Sequence, residues 1–247
     1  MNVFITGASS GIGEGLARHY GAPGNRVGVL ARRASLLAAL AEDLRAAGAE
    51  PHVYAVDVTD TAAVAEAARD FSAHAGGVEL VIANAGIGQG ATLLRSDPAD
   101  IATLMRVNVI GVTNTVLPFV PGMVRQGSGV LVAVSSMAGH RALPGRGAYS
   151  ASKAAVTTFM DGLRMELHGT GVHAMTLCPG FVKTPLTAGR GQRGMPFLME
   201  LPDALRASVA AIDARVGTAT FPWPMRALVP VVRHAPEWVV RRLAPRR

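Results

Sequence analysis

The chain has 247 residues, 49% of them apolar, and a formal net charge of +7, which suits a single α/β domain with a sizeable core. No run nears the roughly 18 apolar residues of a bilayer span, the start Met1-Asn2-Val3-Phe4-Ile5-Thr6-Gly7 lacks the basic region of a signal peptide, and the lone Cys178 excludes an intramolecular disulfide, so a reducing cytoplasm is the expected setting. Residues 222–247 hold six arginines against Glu237, a local +5 that leaves only +2 elsewhere; with the charge gathered in a tail, a nucleic-acid partner is not expected, and the seven histidines show no HExxH-like spacing, so no metal is expected.

Short β-branched runs alternate with Ala/Leu/Arg-rich helical stretches. The pattern predicts strands at Val3–Thr6, Arg26–Ala31, His52–Val56, Leu80–Ala83, Gly129–Ser135 and His173–Cys178, with a short seventh at Thr218–Phe221. Helices are predicted at Gly11–Tyr20, Ser35–Ala47, Thr61–His74, Pro98–Leu117 and Ala148–His168. Continuous apolar strands such as Val130-Leu131-Val132-Ala133-Val134 suit a parallel sheet covered on both faces. The expected fold is a doubly wound, Rossmann-like parallel sheet over residues 1–221, followed by a basic amphipathic helical tail over 222–247. Ligands on such sheets sit at the carboxyl ends of the strands.

After the first strand comes Thr6-Gly7-Ala8-Ser9-Ser10-Gly11-Ile12-Gly13. Glycines let this turn approach a pyrophosphate, which then rests on the N-terminus of the next helix. An acid that would grip the ribose 2′-hydroxyl of NAD is missing: no Asp or Glu lies between Glu14 and Glu42, and the second strand ends Leu30-Ala31-Arg32-Arg33. An arginine there pairs with the 2′-phosphate of NADP, and Arg32 is expected to make the more direct contact. Asp57-Val58 and Asn84-Ala85-Gly86 follow the third and fourth strands and fit the same cleft; Asp57 reads equally well as a helix cap near Thr61.

Tyr149 and Lys153, four apart, share one face of a predicted helix. A phenol ionises near pH 10, and a neighbouring ammonium favours its phenolate, bringing it towards acid–base work at neutral pH. Ser136, at the end of the fifth strand, is placed to bind the reacting oxygen.

Together these motifs resemble the short-chain dehydrogenase/reductase family over the first 185 or so residues: TGASSGIG at 6–13, DV at 57–58, ANAG at 83–86, Asn108 in VNVIG, SSMAG at 135–139, YSASK at 149–153 and PGFVKT at 179–184. The resemblance implies a tetrad of Asn108, Ser136, Tyr149 and Lys153. In it Asn108 holds a water leading to Lys153, Lys153 also holds the nicotinamide ribose, and Pro179, Gly180, Val182 and Thr184 flank the nicotinamide. It also implies a homodimer or homotetramer. The residues alone read Asn108 equally well as a polar group satisfied at a helix kink. Ala83 and Ser10 depart from the family pattern, Ser10 standing where many NADP users carry a basic residue, so NAD remains the weaker alternative cofactor.

The expected reaction is hydride transfer between NADP(H) and a carbonyl or alcohol; a silent NADP(H)-binding sensor of the same fold is the alternative. A glycine-rich stretch after Thr184, followed by Met195 and Phe197, suits a lid over an apolar substrate, and His140, Arg141 and Leu143 are expected to face the same pocket. Met225, Leu228, Val229 and Val232 have helical spacing amid arginines. Packing on the core or on a second subunit is the preferred reading of this tail. The other is contact with the anionic inner face of a membrane.

Overall fold

The computed structural model describes residues 1–88, 90–142, 145–188 and 195–234. Seven strands form one parallel sheet: β1 (Asn2–Thr6), β2 (Arg26–Leu30), β3 (Glu50–Tyr54), β4 (Leu80–Ala83), β5 (Gly129–Val134), β6 (Val172–Pro179) and β7 (Thr218–Phe221). Their order is β3-β2-β1-β4-β5-β6-β7, with every neighbouring pair parallel. The order reverses between β1 and β4, and on sheets of this kind ligands bind at such a switch point.

The helices are α1 (Gly11–Tyr20), α2 (Ala34–Ala46), α3 (Thr61–Ala75), α4 (Pro98–Met105), α5 (Gly111–Val116), α6 (Val120–Gln126), α7 (Gly147–Glu166), α8 (Leu201–Asp213) and α9 (Trp223–His234). One buried cluster joins Val3, Ile5 and Val29 to Leu16, Leu37 and Ala204. The other joins Phe4, Val81 and Leu131 to Phe71, Val116 and Met160 on the opposite face. The alternation of side chains along each strand thus feeds two cores, each closed by its own helices.

Several boundaries differ from the sequence pattern. β3 starts two residues earlier than predicted because it is an edge strand, and such a strand accommodates Pro51 without losing a ladder bond. The helix predicted to end at Leu117 runs on through Pro118 by way of a 3₁₀ turn to Gln126, and a π-turn at Arg106–Ile110 interrupts it. By composition Pro98–Gln126 is apolar enough to cross a bilayer, yet 44% of its apolar window is buried, with Val107, Val112, Val116, Phe119 and Met123 packed into the second core.

α8 is absent from the predicted set. It starts at Leu201-Pro202, with proline in the first turn where no N–H is needed, and lies against α1. The approach is so close that a Cβ at Gly15 would stand 2.4 Å from Leu205. Of the tail, 222–234 is described, and the helical expectation holds there as α9; 235–247 lie outside the described residues.

Candidate active site

A cleft of about 880 Å³ runs along the carboxyl ends of the strands. At one end lies the turn between β1 and α1. Gly7 and Gly11 adopt φ of 67° and 61°, a left-handed conformation that favours glycine. Ser10 occupies the N-cap of α1 without capping it by its side chain, so first-turn N–H groups remain available to an anion. Gly7, Ser9, Ser10, Gly11 and Ile12 line the cleft. Gly13 does not. It is the packing glycine of the turn, where a Cβ would come within 2.4 Å of the Gly7 carbonyl oxygen and 2.3 Å of Asn84 Nδ2.

Both arginines at the end of β2 line the cleft, and they do different things. Arg33 lies across the glycine turn, with Nη2 donating to Ser9 Oγ (2.8 Å) and Ser10 Oγ (2.7 Å) and Nε to Ser9 Oγ (3.2 Å). Arg32 is two-thirds exposed and reaches Asp57 Oδ2 at 3.6 Å. Arg33, the N-cap of α2, thus lies on the glycine turn, while Arg32, expected to make the more direct contact with a 2′-phosphate, points to Asp57. Burial works against the Asp57 carboxylate, but Thr59 N and Oγ1 both donate to its Oδ1 at 2.9 Å, and with Arg32 they hold its pKa below the usual range. Asp57 does not cap α3; Asp60 does, accepting from Ala63 N at 3.0 Å. Val58, Asn84, Ala85 and Gly86 complete this wall.

At the other end, β5 and α7 bring Ser136, Tyr149 and Lys153 to the same cleft. Ser135 Oγ ties the two elements together by donating to the Lys153 carbonyl at 2.8 Å. Gly139 lets the intervening turn touch α7, since a Cβ there would stand 2.8 Å from the Lys153 carbonyl carbon. Lys153 is 3% exposed and donates from Nζ to the Val134 carbonyl at 2.8 Å. An ammonium has three donors, so two remain for groups in the cleft. Burial lowers its pKa to about 8.

The Tyr149 phenol stands above its ordinary value because burial outweighs a hydrogen bond from Ser136 and the charge of Arg146, both of which favour the phenolate. Lys153 Nζ lies 5.9 Å from the Tyr149 ring centre, and the groups that favour the phenolate are Ser136 and Arg146, not the ammonium expected to do so.

Asn108 is fully buried inside the π-turn and does not line the cleft. Its Oδ1 accepts from Ile87 N at 2.8 Å, and its Nδ2 donates to the Ile87 carbonyl and Ser152 Oγ, both at 3.0 Å. The side chain is thus a satisfied kink residue that still abuts the site. A Cβ at Gly86 would stand 3.3 Å from Asn108 Oδ1 and 3.5 Å from Lys153 Nζ.

Pro179, Gly180, Val182 and Thr184 line the cleft, as do His140 and Met195. Phe197 does not: it is half exposed on a turn with φ of 55°. Leu143 lies outside the described residues. Among the wall residues with no counterpart in the sequence reading of the pocket are Arg146, Met225 and Val229. The last two carried a signal, their i, i+4 spacing, but that spacing gives a helix face without saying what the face covers. Arg146 is three residues ahead of Tyr149, one helical turn away. Away from the cleft, His52, Asp70 and His74 bring ligand-capable atoms within 4.8 Å of one another. Local partners engage them: the Tyr54 hydroxyl donates to Asp70 Oδ2 at 2.6 Å, and His74 Nδ1 lies 2.8 Å from the Asp70 carbonyl oxygen.

The family model for short chain dehydrogenases matches residues 1–193. An uncharacterized oxidoreductase of Myxococcus xanthus is 42% identical over 221 residues, covering 90% of this chain and 87% of the relative. A short-chain dehydrogenase from Sphingobium yanoikuyae in complex with NADPH is 28% identical, with a TM-score of 0.84 and coverage of 97% of this chain and 95% of that one. One from Burkholderia phymatum in complex with NAD is 28% identical, with a TM-score of 0.84 and coverage of 100% and 96%. With the sheet order, the glycine turn and the Ser136–Tyr149–Lys153 cluster in place, this chain belongs to the short-chain dehydrogenase/reductase family of oxidoreductases.

Proposed function

We propose that the protein is an NADPH-preferring carbonyl reductase. The observation that carries this reading is that one cleft holds both an anion-ready glycine turn crossed by Arg33 and a serine–tyrosine–lysine cluster. The residues fit a nicotinamide dinucleotide: first-turn N–H groups of α1 suit the pyrophosphate, and Arg33 with Ser9 and Ser10 suits a 2′-phosphate. Two solved relatives, one with NADPH and one with NAD, support a cofactor of this class.

Bound there, the reduced dinucleotide supplies a hydride to a carbonyl carbon. Ser136 donates a hydrogen bond to the carbonyl oxygen and fixes its position. Tyr149, protonated at neutral pH because its pKa is raised, gives the phenolic proton to that oxygen. Lys153 orients a ribose hydroxyl with its remaining donors. In the reverse direction Tyr149 takes the proton from an alcohol.

The test is a fluorescence titration of the purified protein with NADPH and NADH, followed by an NADPH-coupled ketone screen with wild type and Tyr149→Phe. Tighter NADPH binding, together with turnover that disappears in the variant, is the expected outcome. Failure of both nucleotides to bind would end the oxidoreductase reading.

A further inference from the structure

The cleft's charges are unevenly distributed. Asp57 is the one carboxylate lining it among the described residues, and it sits at the nucleotide end with Arg32 and Thr59 as partners. At the reacting end the walls carry Arg141 and Arg146, along with His140. Arg146 is half-buried, and among the described residues no carboxylate lies within 4 Å of it. A guanidinium cannot shed its charge by deprotonating, and taking it partly out of water without a partner is unfavourable.

Its place in the fold makes this more telling. Arg146 is the N-cap of α7, with no side-chain capping bond. That position favours Ser, Thr, Asp or Asn, and a cation there lies at the wrong end of the helix dipole. Local structure therefore gives no reason for an arginine. The Arg146 carbonyl does accept from Ser150 N at 2.8 Å, but any residue supplies that carbonyl. What is particular to arginine is the charge facing the cleft, one turn from Tyr149. The same cleft also has apolar lining, with Leu186, Met195 and Met225.

We infer that the substrate is an apolar keto compound bearing an anionic group, a carboxylate or a phosphate, and that Arg146 seats that group beside the reacting carbonyl. This rests on the reductase reading above. A charge-assisted, two-pronged contact holds one end of the molecule, and the apolar wall receives the rest. Arg146 thereby selects substrates as well as favouring the Tyr149 phenolate.

The test compares oxo-carboxylates of several chain lengths with their methyl esters and with the matching oxo-phosphonates, all at saturating NADPH. kcat/KM is measured for wild type, Arg146→Gln and Arg146→Lys. The expected result is an anion-to-ester ratio of about tenfold or more in wild type. It should fall to near one in Arg146→Gln and be partly restored in Arg146→Lys. Any change in Tyr149 acidity affects both members of a pair and cancels in the ratio. The carboxylate and phosphonate arms say which anion is preferred.

A wild-type ratio near one, or a ratio that survives Arg146→Gln, overturns the inference. If no ketone of any series is reduced, the reductase reading fails separately, and the seat is then judged by binding to the NADPH complex, followed by nucleotide fluorescence. Oxo-carboxylate binding lost in Arg146→Gln supports the seat; equal binding, or none, overturns it. NADPH titration of each variant confirms that it is folded.

Discussion

Arg33 and Ser9 are joined by two hydrogen bonds, from Nη2 at 2.8 Å and Nε at 3.2 Å, so the guanidinium is already docked on the glycine turn. A docked cation needs little reordering to receive a phosphate, and such preorganisation favours binding. Arg33→Ala is therefore expected to weaken NADPH binding by about tenfold to a hundredfold, the range for charge-assisted bonds. NADH, which lacks the phosphate, should change by only a few-fold. Arg32→Ala, which removes the longer contact to Asp57, should have the smaller effect on NADPH. Parallel fluorescence titrations check the ranking, and a larger loss in the Arg32 variant would reverse the assignment.

The pH dependence follows from the Tyr149 phenol. Because burial raises its pKa, the proton donor stays loaded through neutral pH, and kcat/KM for reduction should fall only on the alkaline side. Ser136→Ala removes a hydrogen bond that favours the phenolate, so the alkaline limb should move to higher pH even as the rate drops. Tyr149→Phe should lose about 10²- to 10⁴-fold in kcat. A pH–rate profile of the Ser136 variant that moves to lower pH would contradict this account.

Lys153 is a stability liability. Its folded pKa of about 8 lies below the ordinary 10.5, so the ammonium is disfavoured by folding. The penalty is present in full below about pH 8 and is relieved as pH rises towards 10.5, since the unfolded chain then binds more protons. It amounts to about 3 kcal/mol, at the upper end of the roughly 1–3 kcal/mol for leaving the Val134 carbonyl without its donor. Lys153→Met is thus expected to raise the melting temperature at pH 7 while abolishing turnover, and the gain should shrink in melts at pH 9–10. A lowered melting temperature at pH 7 would show that packing around Nζ dominates.

How much of this was legible depended on the physical range of each cue. Strand and helix periods are local, and β1, α1, β2 and the first turn of the cleft could be read directly from Asn2 to Leu30. The motif residues Ser136, Tyr149 and Lys153 were legible because one strand and one helix bring them together. Which of Arg32 and Arg33 lies on the glycine turn was not, because it turns on how α2 begins. Asn108 was legible as a kink residue, yet its bonds to Ile87 and Ser152 come from segments 21 and 44 residues away. α8 escaped notice because Pro202 and Asp203 follow an irregular loop, and its apolar stripe becomes meaningful only against Gly15 of α1.

The same limit applies to α9, whose apolar face was visible and whose target was not. Met225 and Val229 close the cleft, with Gly180 N bonded to the Phe221 carbonyl at 2.8 Å just ahead of the helix. The base of α9 is thus tied to the cleft wall at Gly180, while Trp223 stays 77% exposed. Shortening Met225 and Val229 to alanine removes apolar wall, and each methylene lost from contact with substrate is worth about 0.8 kcal/mol. The double variant should raise KM for a bulky ketone by about tenfold or more and leave a small ketone less affected. The size dependence identifies the contact, because general loosening of the cleft would move both substrates together. KM for a matched short and long ketone pair, at saturating NADPH, distinguishes the two outcomes. Equal increases would place α9 in support of the fold, outside the substrate wall.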